Sequence, residues 1–187
     1  MSRPRGRPAR GAGVTRDDIL AAALSVLDEG GGRGLTMRAV AARLGVTPMS
    51  LYHHVEDRTG LLRAVSDRVY AEVLDGVGET QDQREEVQQI LMRYHEAVCR
   101  HPQLTLQIFA TPEAFAGVTR QITERLTTLL SGMTTEPLLW RDILVDHAHG
   151  SGLPISTISG DQKQTQALRE QYRQALERLL DALTREQ

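Results

Sequence analysis

Apolar residues recur at helical spacing along most of the chain. The first run comprises Ile19, Leu20, Ala23, Leu24 and Leu27. These positions share one face of an α-helix. Thr15 precedes the run as a suitable N-cap, and the glycines at 30–32 end it. There is no sustained alternation of apolar and polar residues, the pattern that predicts β-strands. The chain is therefore expected to adopt an all-α fold.

Glycines, prolines and polar stretches divide the remainder into further helical segments. The predicted helices span residues 37–44, 48–54, about 57–76, about 82–100, 103–109, 112–131, 136–149 and 162–185. Residues 150–160 contain Gly150, Gly152 and Pro154 together with several hydroxyl residues. We expect this stretch to form a loop.

One short segment carries the strongest functional signal. Gly45, Val46 and Thr47 separate the predicted helices at 37–44 and 48–54, so a turn of about three residues joins two short helices. Gly45 suits the left-handed position that ends a helix. Pro48 stands at the first position of the next helix, where a missing N–H costs nothing. The pattern is typical of a helix-turn-helix, whose second helix enters the major groove of DNA.

The segment from residue 15 to residue 65 resembles the tetracycline-repressor (TetR) family. The matching residues are Gly34-Leu35-Thr36, Arg38, Ala41, Gly45-Val46, Leu51-Tyr52, His54-Val55, Arg58 and Leu61-Leu62. The resemblance implies an N-terminal three-helix helix-turn-helix domain, a linking helix, and a helical C-terminal domain for dimerisation and ligand binding. The expected divisions are a flexible Arg-rich arm at 1–14, a DNA-binding domain with the linking helix at 15–75, and a dimerisation and effector-binding domain at 76–187.

Nine residues are candidates for DNA contacts. They are Arg38, Thr47, Pro48, Met49, Ser50, Tyr52, His53, His54 and Arg58. Arg38 suits a phosphate or a guanine edge, and Arg58, at the start of the fourth helix, suits the backbone of the opposite strand. Tyr52 and His54 suit phosphates and His53 a base edge. Alternatively, Tyr52 is a core aromatic with its hydroxyl at the rim, and the two histidines are simply solvated.

Charge is distributed unevenly, although the formal net charge is only −2. Residues 1–68 hold 11 arginines and 7 acids, whereas residues 69–187 hold 11 basic residues and 17 acids. Four of the arginines, Arg3, Arg5, Arg7 and Arg10, lie in the N-terminal arm among prolines and glycines. The arm either follows a DNA groove or the phosphates, or it is a solvated tail. The basic part coincides with the helix-turn-helix.

Composition excludes several other classes of protein. The single cysteine, Cys99, can form neither an internal disulfide nor a cysteine zinc cluster, which fits a reducing cytoplasm. No stretch reaches the roughly 20 apolar residues that cross a bilayer, so no membrane partner is expected. There is no Gly-x-Ser-x-Gly motif and no glycine-rich phosphate loop. We therefore expect neither enzymatic activity, nor a cofactor, nor a metal site.

The TetR resemblance further implies a homodimer and a small-molecule pocket. Its last two helices would pair with those of a second copy, here through residues 136–149 (Leu138, Leu139, Ile143, Leu144) and 162–183 (Leu168, Tyr172, Leu176, Leu179, Leu183). Alternatively, these apolar stripes face only their own domain. Candidate pocket residues are Tyr94, His95, Phe109, Phe115, Trp140 and His147, with His149 also considered. Each of these could equally be ordinary core.

The resulting functional hypothesis is a transcriptional repressor. It would bind a palindromic double-stranded DNA operator as a dimer and be released by a small molecule. The alternative is a dimeric DNA-binding regulator without a small-molecule pocket, controlled by a protein partner.

Overall fold

The computed structural model describes residues 13–32, 34–76, 78, 80, 82–155 and 162–185. Within these ranges the chain forms nine α-helices and two short 3-10 helices, and no strand. The α-helices are α1 (Arg16–Gly30), α2 (Met37–Leu44), α3 (Pro48–Leu51), α4 (Arg58–Tyr70), α5 (Gln83–Arg100), α6 (Pro102–Phe109), α7 (Val118–Ser131), α8 (Pro137–Ile155) and α9 (Gln162–Arg185). The 3-10 helices are Ala71–Leu74 and Pro112–Ala114. The predicted all-α fold is confirmed.

Helices α1 to α4 contribute buried apolar side chains to the hydrophobic core of the chain. Thr15 caps α1 in a reciprocal capping box with Asp18, and burial of Ile19, Ala23 and Leu27 turns the predicted apolar face inward. Leu51 of α3 is fully buried in the same cluster. The capping signal at the start of α1 therefore agrees with the packing, and Leu51 fixes α3 against the core.

Helix α4 connects this region to the rest of the molecule. Asp57 caps it by accepting a hydrogen bond from the backbone N–H of Gly60 at 2.7 Å. Its apolar side chains Leu61, Leu62 and Val65 are fully buried, and the helix packs against α1, α6 and α7. Movements of α6 or α7 would consequently act on α4 directly.

Helix α5 lies at the centre of the second half. It packs against α7, α8 and α9, and Val87, Ile90, Leu91 and Val98 are fully buried. Val87, Ile90 and Leu91 belong to the same core cluster that includes the buried side chains of α1 to α4.

Four predicted helical segments differ from the structure. The helix expected over about 57–76 ends as α4 at Tyr70 and is followed by the 3-10 helix Ala71–Leu74. The helix predicted at 48–54 is α-helical only over Pro48–Leu51 and is followed by turns through residue 54. The segment predicted at 112–131 is divided into a 3-10 helix and α7. The loop expected at 150–160 is wrong over residues 150–155, which continue α8. Gly152 is buried there against Val98 and His95 of α5. Close packing of α8 on α5 at Gly152 accounts for the continuation of the helix past this glycine.

Two sequence expectations concern residues outside this description. The Arg-rich arm falls there for residues 1–12, as does the remainder of the expected loop, residues 156–161. Among the helices that the structure does describe, none has the length and apolarity that a membrane crossing requires.

Candidate nucleic-acid interface and internal cavity

A left-handed glycine forms the turn between α2 and α3. Gly45 has φ +66°, and a Cβ there would meet nothing within 4 Å, so the requirement for glycine is conformational. The backbone N–H of Val46 donates to the carbonyl of Ala41 at 3.0 Å, which closes the end of α2. At the other end, the Thr36 hydroxyl accepts from the backbone N–H of Ala39 at 3.0 Å. The predicted helix-turn-helix therefore has the backbone geometry that its sequence implies.

The segment containing α3 presents one apolar side and one exposed side. Leu51 and Val55 are buried, whereas the side chains of Met49 and Tyr52 are 68% and 47% exposed. An exposed methionine and tyrosine beside buried anchors are not explained by packing within this chain. Tyr52 is not a core aromatic in this structure.

Eight of the nine predicted DNA-contacting residues lie at the surface of this region. Exposed are Arg38, Thr47, Met49, Tyr52, His53 and His54, and half-buried are Pro48 and Ser50. The hydroxyls of Thr47 and Ser50 lie 3.1 Å apart. Guanidinium, imidazole, phenol and hydroxyl groups supply the donors and acceptors that base edges and phosphates need. The segment is thus chemically equipped to contact DNA.

Arg58 differs from the other eight. Its Nε donates to the carbonyl of Leu35 at 2.9 Å, and its Nη2 donates to the carbonyl of Gly32 at 3.1 Å and to Oε1 of Gln107 at 2.8 Å. Two of its three nitrogens therefore bind protein acceptors, which argues against the predicted phosphate contact. The residue instead joins the α1–α2 junction to α6, through partners 23 to 49 positions away.

A cavity of about 290 Å³ lies between the middle helices. Residues from α4 to α8 form its wall, together with Phe115 from the segment before α7. The lining residues are Tyr70, Tyr94, Thr105, Ile108, Phe109, Phe115, Thr119, Ile122, Thr123, Arg141, Asp142, Val145, Asp146 and His149. A mostly apolar wall with a few polar groups is characteristic of small-molecule sites.

Two hydrogen-bonded pairs define the polar geometry of the cavity. The Tyr94 hydroxyl lies 2.7 Å from Nε2 of His149, and the Tyr70 hydroxyl lies 2.8 Å from that of Thr105. Burial raises the pKa of Tyr94 well above its usual value and lowers the pKa of His149. The ring of Tyr94 stacks on that of Tyr70 with centroids 5.4 Å apart. The deeper wall is therefore aromatic and uncharged near neutral pH.

The structure separates the predicted pocket residues into two groups. Tyr94, Phe109 and Phe115 line the cavity, as does His149. His95, Trp140 and His147 do not, so these three are corrections to the predicted lining. The rings of His95 and His147 stack on Tyr172 of α9, with centroid distances of 3.7 Å and 5.2 Å, and Trp140 is buried in the core.

Sequence reasoning missed most of the polar lining. Asp142, Val145, Asp146 and His149 stand at i, i+3, i+4 and i+7 of α8 and share one face. That spacing was a usable signal, but the exposed apolar residues Leu138, Leu139 and Ile143 lie on the same helix. The two overlapping patterns give α8 no single apolar stripe from which a cavity wall could be deduced.

Two contacts join the cavity wall to the helix-turn-helix region. On α6, Thr105 and Phe109 line the cavity, while the intervening Gln107 accepts from Arg58 at the start of α4. On α7, the backbone N–H of Val118 donates to Oδ1 of Asp67 of α4 at 2.8 Å. A Cβ at the neighbouring Gly117 would lie 2.2 Å from the same oxygen. Helices α6 and α7, which both line the cavity, are thus hydrogen-bonded to α4.

The apolar residues expected to form a dimer face are partly buried within this chain and partly exposed. Tyr172, Leu176 and Leu183 of α9 and Leu144 of α8 are almost completely buried within this chain, which corrects their assignment to an interface. Leu138, Leu139 and Ile143 of α8 remain exposed, and Leu168 and Leu179 of α9 are half-buried. The apolar surface left without cover thus belongs mainly to α8.

Comparison with known proteins agrees with the geometry of the N-terminal region. Residues 19–65 match the family model for bacterial regulatory proteins of the tetR family. An uncharacterized HTH-type transcriptional regulator of Mycobacterium tuberculosis is 38% identical over 79 residues, and the HTH-type transcriptional repressor DrrR1 of Streptomyces coeruleorubidus is 45% identical over 65 residues. The alignments cover 40% and 34% of this chain. They span only 36% and 24% of those relatives.

Solved structures resemble the chain over nearly its whole length. The crystal structure of Mycobacterium smegmatis BioQ superposes with a TM-score of 0.74 at 24% identity, covering 93% of this chain and 100% of that one. BioQ with its double-stranded DNA operator gives a TM-score of 0.66 at 24% identity, covering 91% and 98%. At these identities the likeness establishes the fold. The family match assigns residues 19–65 to a helix-turn-helix segment of the tetR type, and the likeness to BioQ extends the same fold over most of the chain.

Proposed function

We propose that this protein is a dimeric repressor that binds a palindromic operator and is released by a small molecule. In this proposal residues 15–75 bind DNA, and residues 76–187 form the dimer and hold the effector. The observation that carries the proposal is the exposed surface around α3, where Met49 and Tyr52 project beside buried Leu51. A short helix held this way can insert its side chains into a major groove.

Dimerisation follows from the small size of that surface. One short reading segment spans only a few base pairs, and two-fold symmetry doubles the contacts on a palindromic site. Exposed Leu138, Leu139 and Ile143 of α8 offer an apolar patch for a second copy. The operator-bound BioQ structure supports binding of double-stranded DNA by this fold.

Release by a small molecule is supported by the cavity and its connections. A ligand filling the space of about 290 Å³ would contact Thr105 and Phe109 of α6 and Thr119 of α7. These helices are bonded to α4 through Gln107 with Arg58 and through Val118 with Asp67. A ligand that favours one arrangement of α6 and α7 would shift α4, and by linkage its affinity would depend on whether DNA is bound.

The test of DNA binding begins by selecting operator sequences with the purified full chain. Arg38→Ala should then weaken operator binding about tenfold and reduce the slope of log affinity against log salt by about 1, because one phosphate or base contact is lost. Tyr52→Ala should also weaken binding. Arg120→Ala removes the same charge from the exposed surface of α7 and serves as the matched control.

The outcomes separate the components of the proposal. Mobility shifts unchanged by both Arg38→Ala and Tyr52→Ala, with the dimer intact, would refute the assignment of the DNA surface. Operator binding that no compound relieves, in a screen that includes cavity-sized aromatic molecules, would favour a regulator controlled by a protein partner.

A further inference from the structure

The hydroxyl groups around the cavity present acceptors rather than donors. The Thr105 hydroxyl donates to the carbonyl of His101 at 3.3 Å, so the Tyr70 hydroxyl at 2.8 Å must donate to Thr105. The Thr119 hydroxyl donates to the carbonyl of Ala116 at 2.9 Å, and that of Thr123 to the carbonyl of Arg120 at 2.8 Å. Each oxygen is left with lone pairs and no free proton.

The hydrogen-bonded pair of Tyr94 and His149 also presents an acceptor to the cavity. Oδ1 of Asp146 lies 4.0 Å from Nδ1 of His149. This negative charge favours the tautomer with the proton on Nδ1, which leaves Nε2 to accept from the Tyr94 hydroxyl at 2.7 Å. Tyr94 then also offers only an acceptor. The hydroxyl groups and the Tyr94–His149 pair thus offer a ligand acceptors, and Arg141 is the lining side chain that carries N–H donors.

The cavity lining carries two carboxylates, Asp142 and Asp146, and one guanidinium, Arg141. Arg141 is paired with Asp142 through contacts of 2.6 Å and 2.8 Å, so these two side chains compensate each other. Asp146, whose side chain is 85% exposed, has no arginine or lysine within ion-pair distance among the described residues. One negative charge therefore remains at the mouth, on the face of α8 that also carries His149.

Aromatic rings border this uncompensated carboxylate. Phe109 packs edge-on against His149 with ring centroids 4.7 Å apart, and Tyr94 packs against the same imidazole at 5.4 Å. Phe115 completes this aromatic part of the wall. Aromatic faces attract cations as well as apolar groups.

We propose that the cavity accepts a monocationic amine with an aromatic body, its ammonium group near Asp146 and its rings against Tyr94, Phe109 and Phe115. The proposal deepens the ligand-release function above and rests on it for its regulatory meaning. The ammonium supplies the donors that the hydroxyl oxygens lack, and its charge complements Asp146. A carboxylate ligand would meet acceptors and a like charge.

The experiment compares three probes of nearly equal size, naphthylmethylammonium, naphthylmethanol and naphthoate, by calorimetric titration of the full chain at neutral pH. The ammonium is expected to bind more tightly than the alcohol, and naphthoate not measurably. Asp146→Asn should reduce the preference for the ammonium over the alcohol by up to about fivefold, the effect of one largely exposed charge pair. Glu124→Gln removes the same charge from the exposed surface of α7 and should leave the preference unchanged.

Every result decides the matter. Binding of naphthoate as tight as that of the ammonium, an unchanged preference in Asp146→Asn, or failure of all three probes to bind would overturn the proposal. A mobility-shift assay with the same probes separates it from the proposed function. If the ammonium binds as expected but leaves the operator complex intact, release by this ligand fails and the cavity assignment stands. If only naphthoate releases the operator, release by a small molecule stands and the assignment of the cavity to a cationic amine fails.

Discussion

His95 illustrates how a single buried residue depends on its neighbours from three helices. The imidazole ring of His95 stacks on Tyr172 of α9, and Nε2 of that imidazole lies 3.6 Å from the sulfur of Cys99 of α5. His147 of α8 also stacks on Tyr172. Burial, with contributions from Arg169 and His147, lowers the pKa of His95 to about 4. The residue is therefore neutral in the folded protein near neutral pH.

We expect stability to fall as the pH decreases from about 6.5 toward about 4. The unfolded chain takes up a proton at the ordinary histidine pKa, whereas the folded chain resists protonation of His95 until about pH 4, so acid favours unfolding. Burial also lowers the pKa of His147 and His149, which adds in the same direction. His95→Phe keeps a ring against Tyr172 but cannot be protonated, and it should reduce the loss between about pH 7.5 and about pH 5.5 by about 1 kcal/mol.

Urea unfolding at both pH values and at one protein concentration measures this effect. His53→Asn removes an exposed histidine and should leave the pH dependence as in the parent chain. A His95→Phe variant that loses as much stability as the parent chain would contradict the account. The sequence alone does not predict this role, because a histidine suits a cavity wall as well as a core position, and the stack depends on how α9 packs on α5.

At the scale of elements, the absence of a side chain at Gly152 allows α8 to approach α5 closely. Gly150 and Gly152 lie in the same helix, but a Cβ at Gly150 meets nothing within 4 Å, whereas one at Gly152 would lie 2.9 Å from Cγ1 of Val98. The two positions thus form an internal pair for separating helix propensity from packing.

Gly150→Ala should stabilise the protein by about 0.5–1 kcal/mol, because alanine has the higher helix propensity and reduces the freedom of the unfolded chain. Gly152→Ala should instead destabilise it by about 1–3 kcal/mol, since the methyl group overpacks the α5–α8 contact. Val98→Ala in the Gly152→Ala background should recover part of that loss. Chemical denaturation of the three variants and the parent chain measures these differences, and equal stabilisation by both alanines would show that the helices do not meet at Gly152.

Helix boundaries were predictable where a capping residue or a left-handed glycine acts locally. Thr15, Thr36 and Asp57 all cap the helices that they precede, and Gly45 ends α2. The prediction failed at residues 150–155, where Gly152 is buried against another helix and Pro154 is contained in α8. A local rule for loops could not anticipate a contact with residues more than 50 positions away.

For the whole molecule, the apolar patch on α8 determines the expected assembly. Leu139 is 52% exposed on this patch, and Leu106 of α6 is 43% exposed away from it. In the proposed dimer, Leu139 becomes buried against the second copy. Leu139→Glu should then raise the dimer dissociation constant at least tenfold, because a charge would be buried without a partner.

Analytical ultracentrifugation measures the dissociation constant, and Leu106→Glu provides a control with the same change of side chain at similar exposure. That control should leave the dimer unchanged. Loss of the dimer in both variants, or in neither, would argue against the α8 patch. Operator binding by Leu139→Glu should weaken as well, because each monomer can then occupy only a half-site.

The sequence by itself determined the all-α fold, the helix-turn-helix and most helix ends, because periodicity, caps and the left-handed Gly45 act within a few residues of each other. The tertiary structure alone decided that Arg58 joins α4 to α6, that His149 rather than His95 or His147 lines the cavity, and that Tyr172 and Leu176 are core. These outcomes depend on helices far apart in sequence, whose approach and rotation set which side of each amphipathic helix meets a neighbour, a cavity or solvent.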